Sequence, residues 1–168
     1  MSKILKVTYI QTKLAWENPK VNKVHFEQKL TECPEDSDLI ILPEMFTTGF
    51  SMNAEANAEE AEIVLNWMKT QSQKHQKAIT GSAMVKDNGK YYNRLFFVKP
   101  DGSYSKYDKK HLFTLAKEHL FYTPGEERCI VSYKGWKLCL QVCYDLRFPV
   151  WTRNKDDYDV LIYVANWP

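Results

Sequence analysis

Apolar and polar positions along the first half of the chain predict strands and helices in alternation. Residues 5–12 alternate apolar and polar side chains, as a half-buried strand does, and Asn18 followed by Pro19 is typical of a helix start. This helix should end near Pro34. The short apolar run at residues 38–42 predicts a strand buried on both faces.

A second helix and a series of strands complete the predicted chain. Residues 59–75 place apolar side chains on one helix face, at Ala61, Val64, Leu65 and Met68. Further strands are predicted at residues 78–85, 91–99, 103–107, 129–133, 136–142 and 160–165, with hairpin turns at 87–89 and 134–135. A break at Pro149 precedes a short helical stretch. This order predicts one α/β domain over residues 1–168, with a mixed sheet or sheets.

Composition and charge fit one folded domain that acts on small molecules. The chain has 168 residues, 44% of them hydrophobic, and a chain of this length buries roughly 70% of its unfolded surface, which excludes a disordered chain. The formal net charge is +2 without a long basic run, so neither a nucleic-acid nor a membrane partner is predicted. The N-terminal alternation is unlike a signal peptide, which predicts a cytoplasmic protein.

The cysteines and histidines do not have the spacing of a disulfide framework or a metal site. No CxxC pair occurs among the four cysteines, and the four histidines lack the spacing of zinc ligands. We therefore predict free thiols and no bound metal.

Three segments place reactive side chains just past predicted strand ends, where open α/β sheets build their sites. In the first, LPEMFTTGF, Glu44 lies two residues beyond the strand at 38–42. Its apolar neighbours would desolvate the carboxylate, which favours general-base chemistry. Taken alone, a structural ion pair is the commoner role for such a glutamate.

The second segment is YDKKHLF, in which Lys109 and Lys110 stand side by side. Neighbouring lysines on a loop are usually solvated. The apolar residues that follow could draw one of the two inward as an oxyanion stabiliser.

The third segment is LCLQVCYDLRFP, in which Cys143 ends a predicted strand and the next residues force a turn. Such a turn presents a thiol at the mouth of a sheet, with backbone N–H groups facing it. The competing interpretation is a buried structural cysteine, as expected for Cys139 on the same strand.

Together and in this order, the three segments resemble the motifs of the nitrilase superfamily of carbon-nitrogen hydrolases. The resemblance implies Glu44 as the general base, Lys109 as the oxyanion stabiliser and Cys143 as the nucleophile. It also implies a supporting glutamate at Glu118 and a second oxyanion donor in the backbone N–H of Tyr144. The resemblance covers essentially the whole chain.

The resemblance further implies a fold and a reaction. The fold is a nitrilase-like four-layer α-β-β-α sandwich, of which the chain would hold the N-terminal two thirds and lack the C-terminal third. PEMFTTGFSM, DKKHLF and CYDLRFPVWTRN with YVANWP look most like the omega-amidase branch. That branch hydrolyses the distal amide of 2-oxoglutaramate or 2-oxosuccinamate through a cysteine thioester and releases ammonia. No cofactor is implied, and a homodimer is expected for the full-length protein.

The chain end and the pocket residues lead to further expectations. A chain that ends three residues after a buried strand would leave an apolar edge open, so we expect a fragment, a nicked chain or a protein seen only in part. Arg147 is a candidate to bind the far carboxylate of the substrate, although a salt bridge to Glu44 or Asp145 is the commoner role. Candidates for the pocket wall are Phe46, Phe50 and Met52.

Two other functions compete with this hypothesis. A cysteine hydrolase of another family would use His111 or His119 as its base. A nitrilase-like fragment without activity would serve only as a binding or structural module.

Overall fold

Two β-sheets and one layer of helices make up the part of the chain that the computed structural model describes, residues 4–167. The strands are β1 (Val7–Tyr9), β2 (Leu39–Ile41), β3 (Glu59–Glu60), β4 (Ala78–Asp87), β5 (Lys90–Val98), β6 (Tyr104–Asp108), β7 (Cys129–Tyr133), β8 (Trp136–Val142) and β9 (Val160–Val164). The helices are α1 (Pro19–Thr31), α2 (Ala54–Asn57), α3 (Ala61–His75) and α4 (Pro149–Thr152). None of these helices is long and apolar enough to cross a membrane.

Both sheets are mixed, as the sequence predicts. The first has the strand order β1-β2-β4-β5-β6, with β3 paired to β4. Strands β1, β2 and β4 are parallel, whereas β5 and β6 are added by antiparallel pairing. In the second sheet β8 pairs antiparallel with β7 and parallel with β9.

The layers follow from two hydrophobic clusters on the two faces of the first sheet. On one face, Phe26 of α1 and Met68 of α3 pack against strand residues such as Ile79. On the other face, the two sheets pack against each other, with Phe97 and Leu140 in the same cluster. Residues 4–167 therefore form three layers, α-β-β, of the four that the resemblance implies.

The predicted helix start and hairpin turns have the expected local chemistry. The Asn18 side chain accepts a hydrogen bond from the Val21 N–H, and Pro19 is the first helical residue. The turn between β4 and β5 has positive φ at Asn88 (50°) and Gly89 (75°). This backbone matches the twist of a two-residue hairpin.

Some boundaries differ from the predictions because backbone pairing overrides the side-chain pattern. Glu59–Glu60 pair with β4 as β3, so the helix begins at Ala61 and not at residue 59. The first strand spans only Val7–Tyr9, and the short helix α2 was not predicted. β9 is partly exposed rather than fully buried, because within residues 4–167 it pairs with β8 on one side only.

Candidate active site

Glu44 lies at the end of β2, where the chain leaves the first sheet. The next residue, Met45, has a φ of 46°, and its N–H is held by the Ser82 hydroxyl at 3.0 Å. The Glu44 side chain is fully buried. Its Oε1 accepts hydrogen bonds from other side chains, and its Oε2 accepts one from the backbone N–H of Asn166 at 3.0 Å.

Lys109 directly follows β6 and is buried between two carboxylates. Its Nζ lies 3.0 Å from Glu44 Oε1 and 3.0 Å from Glu118 Oε2. Burial would lower the pKa of Lys109, but the two carboxylates outweigh burial and raise it, so the side chain is an ammonium. The adjacent Lys110 lies outside this cluster, with its Nζ 5.5 Å from the centre of the Trp151 ring.

Glu118 is the second buried carboxylate of the cluster. It begins a 3-10 turn, Glu118–Leu120, and accepts a 2.5 Å hydrogen bond from the Phe113 N–H in addition to those from Lys109. Burial raises the pKa of Glu118 even though Lys109 opposes that shift. The structure therefore brings Glu118 together with Glu44 and Lys109.

Cys143 follows β8 in a strained backbone conformation. Its φ of 45° is in the left-handed region, which residues other than glycine adopt at an energetic cost and often at functional sites. The Sγ accepts a hydrogen bond from the Trp167 indole N–H at 2.9 Å. Burial and then the charge of Glu44 raise the pKa of Cys143 to about 12. The resting thiol is therefore protonated at neutral pH, and a base must remove its proton before it can attack.

Asp145 joins the turn that carries Cys143 to the loop that carries Lys109. Its buried carboxylate accepts hydrogen bonds from the Val142 N–H at 3.1 Å and the Tyr107 hydroxyl at 2.7 Å. The other oxygen accepts the backbone N–H of His111 at 2.9 Å and bonds its ring Nδ1 at 2.8 Å. The His111 ring also stacks on Phe148 at 3.8 Å. These bonds hold the turn that carries Cys143 and the loop that carries Lys109 in a fixed relation.

An apolar cavity of about 770 Å³ opens in front of Cys143. Arg147 and Asn166 are its polar lining residues. The rest of the lining is apolar or aromatic: Phe50, Phe113, Leu115, Ala116, Tyr144, Leu146 and Trp167. A small organic molecule with an anionic end fits this lining.

The structure corrects two of the predicted wall residues. Phe46 is fully buried on the helix side of the first sheet, where its ring packs against Phe26 and Trp67. It faces that side because its backbone N–H still bonds to the Ser82 carbonyl of β4. Met52 packs against the separate apolar cluster around Met45 and is not part of the lining.

Phe50 and Arg147 lie at the cavity. Phe50 lines it, and the Lys109 Nζ lies 5.1 Å from the centre of the Phe50 ring. The Arg147 side chain is exposed, and within residues 4–167 it forms no salt bridge, so the expected pairing with Glu44 or Asp145 is wrong. Those carboxylates are occupied by Lys109 and His111 instead.

Sequence reasoning missed Asn93, a buried residue of β5 in contact with both carboxylates of the cluster. A polar residue on a buried face of a strand was the available signal, in KYYNRLFFV. It also missed Asn166 and Trp167, whose N–H groups reach Glu44 and Cys143. Across residues 4–167, no group of three His, Cys, Asp or Glu side chains is arranged to hold a metal ion.

Comparisons with known proteins place this geometry in context. The family model for carbon-nitrogen hydrolases matches residues 6–168. The omega-amidase YafV of Yersinia enterocolitica is 47% identical over 98% of this chain and 64% of its own length. The 2-oxoglutaramate amidase of Bacillus subtilis is 31% identical over 96% of this chain and 65% of its own length. The chain thus spans about 64% of the length of the first of these relatives.

A solved structure shows the same arrangement of elements. XC1258 from Xanthomonas campestris, a CN-hydrolase superfamily protein with an arsenic adduct in its active site, matches with a TM-score of 0.94 and 42% identity. The match covers 98% of this chain and 65% of that chain. This likeness confirms the fold expected from the sequence.

Proposed function

The chain belongs to the carbon-nitrogen hydrolase family, and from this premise we propose that it hydrolyses the distal amide of 2-oxoglutaramate or 2-oxosuccinamate. The observation that carries the proposal is the meeting of Glu44, Lys109 and Cys143 at the ends of β2, β6 and β8, beside an apolar cavity. The substrate class comes from the omega-amidase and 2-oxoglutaramate amidase relatives. The products are ammonia and a 2-oxo dicarboxylate.

Acylation begins with the removal of the thiol proton. Because the pKa of Cys143 is raised to about 12, the thiol needs a base within reach, and the carboxylate of Glu44 lies close enough for its charge to contribute to that shift. Oε1 of Glu44 accepts hydrogen bonds from both Lys109 and Asn93. Among the described residues, Oε2 accepts only the backbone N–H of Asn166, so the less engaged Oε2 is the oxygen that takes the proton. The sulfur then forms a bond to the amide carbon.

Collapse of the tetrahedral intermediate releases ammonia. The Lys109 ammonium and the backbone N–H of Tyr144 stabilise the oxyanion, each donor contributing on the order of 3 kcal/mol. Glu44 returns its proton to the amide nitrogen, the C–N bond breaks and a thioester remains on Cys143. Glu44 next takes a proton from water and the hydroxide attacks the thioester. The C–S bond then breaks, the 2-oxo dicarboxylate leaves, and Glu44 returns the proton to the thiolate to restore the thiol.

Arg147 is the residue proposed to bind the far carboxylate of the substrate. It lines the cavity, and its guanidinium is free of carboxylate partners within residues 4–167. A guanidinium binds a carboxylate through two parallel hydrogen bonds, which orients the amide as well as attracting it. Phe50 and Tyr144 would pack against the carbon chain between the two ends.

The contacts favour this mechanism over a cysteine-histidine hydrolase. The ring Nδ1 of His111 is engaged by Asp145 and its face by Phe148, and His119 is exposed. Glu44, by contrast, is buried beside the thiol. A homodimer and a cytoplasmic location stay predictions, and light scattering of the purified protein tests the first.

The proposal is tested by measuring ammonia release from 2-oxoglutaramate, 2-oxosuccinamate and an uncharged short amide. We expect turnover of the two oxo acids, a weaker reaction with the uncharged amide and none with Cys143→Ala. Arg147→Gln should raise KM for the oxo acids and leave that for the uncharged amide unchanged. Absence of turnover by a folded wild-type protein would favour the binding or structural module instead.

A further inference from the structure

The side chain of Asn93 bridges the two buried carboxylates, which also share Lys109. Its Nδ2 donates hydrogen bonds to Glu44 Oε1 at 2.9 Å and to Glu118 Oε1 at 3.2 Å. The same two oxygens accept from Lys109 Nζ at 3.0 and 3.1 Å. The Asn93 carbonyl also accepts the Lys109 backbone N–H at 3.0 Å. Asn93 thus contacts every charged member of the cluster.

The charges of this cluster explain the orientation of the amide. Two carboxylates share one ammonium, which leaves an excess of negative charge in a buried site. A neutral N–H₂ group supplies two donors to that excess without adding charge. The reversed orientation would point the amide oxygen at both carboxylates and is therefore excluded by repulsion.

The oxygen of the Asn93 side-chain amide indicates that this residue does not serve the stability of the fold alone. Asn93 Oδ1 is buried and has no hydrogen-bond partner among residues 4–167. A buried acceptor without a partner destabilises the folded state, and such groups are rare in native proteins. The hydrogen bonds that Asn93 Nδ2 donates to the two carboxylates offset this cost.

We propose that Asn93 is a positioning residue that holds the carboxylates of Glu44 and Glu118 on either side of Lys109 by donating a hydrogen bond to each. This inference rests on the proposed function, since it assigns Glu44 as the base. Asn93 acts through Glu44, because its amide donates to Glu44 Oε1. The titratable groups that face the cluster are Glu44, Lys109, Glu118, Tyr122 and Cys143.

The consequence is a specific pH dependence. A hydrogen bond donated to a carboxylate favours its ionised form, so loss of the Asn93 donor makes the cluster bind a proton at higher pH. The acidic limb of the activity profile should therefore move upward by about one pH unit, the size expected for a hydrogen bond to a charged group. A merely structural role for Asn93 would lower the amount of folded protein without moving the limb.

The test compares Asn93→Leu and Asn93→Ala with wild type and with Asn22→Leu. Both Asn93 substitutions remove the donors without adding charge, and the smaller alanine serves if the Leu variant does not fold. Asn22 is a matched control, because it is also buried but bonds to the backbone of Ala15 and Thr47. The measurements are the pH profile of ammonia release and the pH profile of Cys143 alkylation by iodoacetamide.

We expect the acidic limb of both profiles to move upward in the folded Asn93 variants and to stay in place in Asn22→Leu. An unmoved limb in a folded Asn93 variant overturns the inference. The alkylation profile needs no amide turnover, so it still tests Asn93 if the wild-type protein releases no ammonia. In that case the proposed function fails, and the alkylation profile alone decides the role of Asn93.

Discussion

The Nδ1 atom of His111 lies 2.8 Å from Oδ1 of Asp145, two residues after Cys143 in the chain. This contact, with the stack of the imidazole on Phe148, turns His111 toward the carboxylate that supports the turn at Cys143. His111 is therefore placed to hold two loops together. In the proposed mechanism, Glu44 takes the thiol proton, and its charge contributes to the raised pKa of Cys143.

These two placements predict that substitutions of Glu44 and His111 affect kcat and stability differently. Glu44→Gln keeps the shape of the side chain but removes the base, so kcat should fall by about 10²- to 10⁴-fold. His111→Gln should reduce kcat far less and lower the melting temperature, because it loosens the bond to Asp145. Steady-state kinetics and thermal unfolding of both variants check this. A larger loss of kcat in His111→Gln than in Glu44→Gln would support the cysteine-histidine mechanism.

Thiol labelling should select Cys143 despite its unfavourable acidity. The protein has four free thiols, and burial raises the pKa of Cys129 to about 11 and that of Cys33 above its usual value. Since the pKa of Cys143 is raised to about 12, acidity alone would make it slow to react. With Glu44 as its base, Cys143 should react with iodoacetamide near neutral pH at least about tenfold faster than the other three thiols.

Peptide mapping by mass spectrometry measures the four labelling rates. Glu44→Gln is the control and should abolish the preference for Cys143. Equal rates at Cys143 and Cys33 in the wild-type protein would count against an activated nucleophile.

Gly125 should not tolerate a side chain. A Cβ there would lie 2.1 Å from the Asp108 carbonyl oxygen, and the Gly125 N–H bonds to the Lys109 carbonyl at 2.9 Å. Gly125→Ala should therefore lower the free energy of unfolding by roughly 3 kcal/mol and displace Lys109. Denaturant unfolding and ammonia release measure the two effects.

Gly102→Ala is the matched control for this prediction. Gly102 has a φ of 82°, and no atom of the described residues lies within 4 Å of an added Cβ, so only backbone strain of roughly 1 kcal/mol is expected. Activity should be unchanged. If the two alanine variants have the same free energy of unfolding and the same activity, the close approach of Gly125 to Asp108 does not limit which side chain position 125 can hold.

The hairpin β4-β5 should make a pH-dependent contribution to stability through Asp87. The hydrogen bond from Arg94 holds the pKa of Asp87 below its usual value. A carboxylate with a lowered pKa stabilises the fold above its unfolded pKa of about 3.9, and this contribution is lost as the pH falls through the folded value. Asp87→Asn should therefore destabilise the protein by up to about 1 kcal/mol at neutral pH, since Asp87 is partly exposed.

Urea unfolding between neutral and acidic pH measures this contribution. The difference between wild type and Asp87→Asn should shrink as the pH falls, whereas the exposed Glu55→Gln should show little difference at any pH. A difference that grows toward acidic pH would have the wrong sign for a paired carboxylate.

The sequence predicted that Glu44 and Cys143 lie just past the ends of strands, because local signals mark those ends. Glu44 and Cys143 each follow an apolar run and precede a sharp turn, and the spacing of motifs can be read without knowing the tertiary fold. The side on which Phe46 packs could not be read in this way. It depends on the positive φ of Met45 and on continued pairing with β4.

Asn93 could not be predicted for a different reason. Its partners Glu44 and Glu118 lie 49 and 25 residues away in the chain, so its role exists only after β5 has been placed beside β4 and β6. Within its own strand it is simply a polar residue on a buried face. Long-range polar contacts of this kind leave little trace in a local sequence pattern.

The most direct test of the central claim is the mass of the protein after a rapid acid quench of its reaction with 2-oxoglutaramate. The mechanism predicts a mass gain equal to the substrate less ammonia, located on the peptide that carries Cys143 and removed by hydroxylamine. Turnover of the amide by Cys143→Ala at the wild-type rate, or turnover by the wild-type protein without any covalent intermediate on Cys143, would contradict the account.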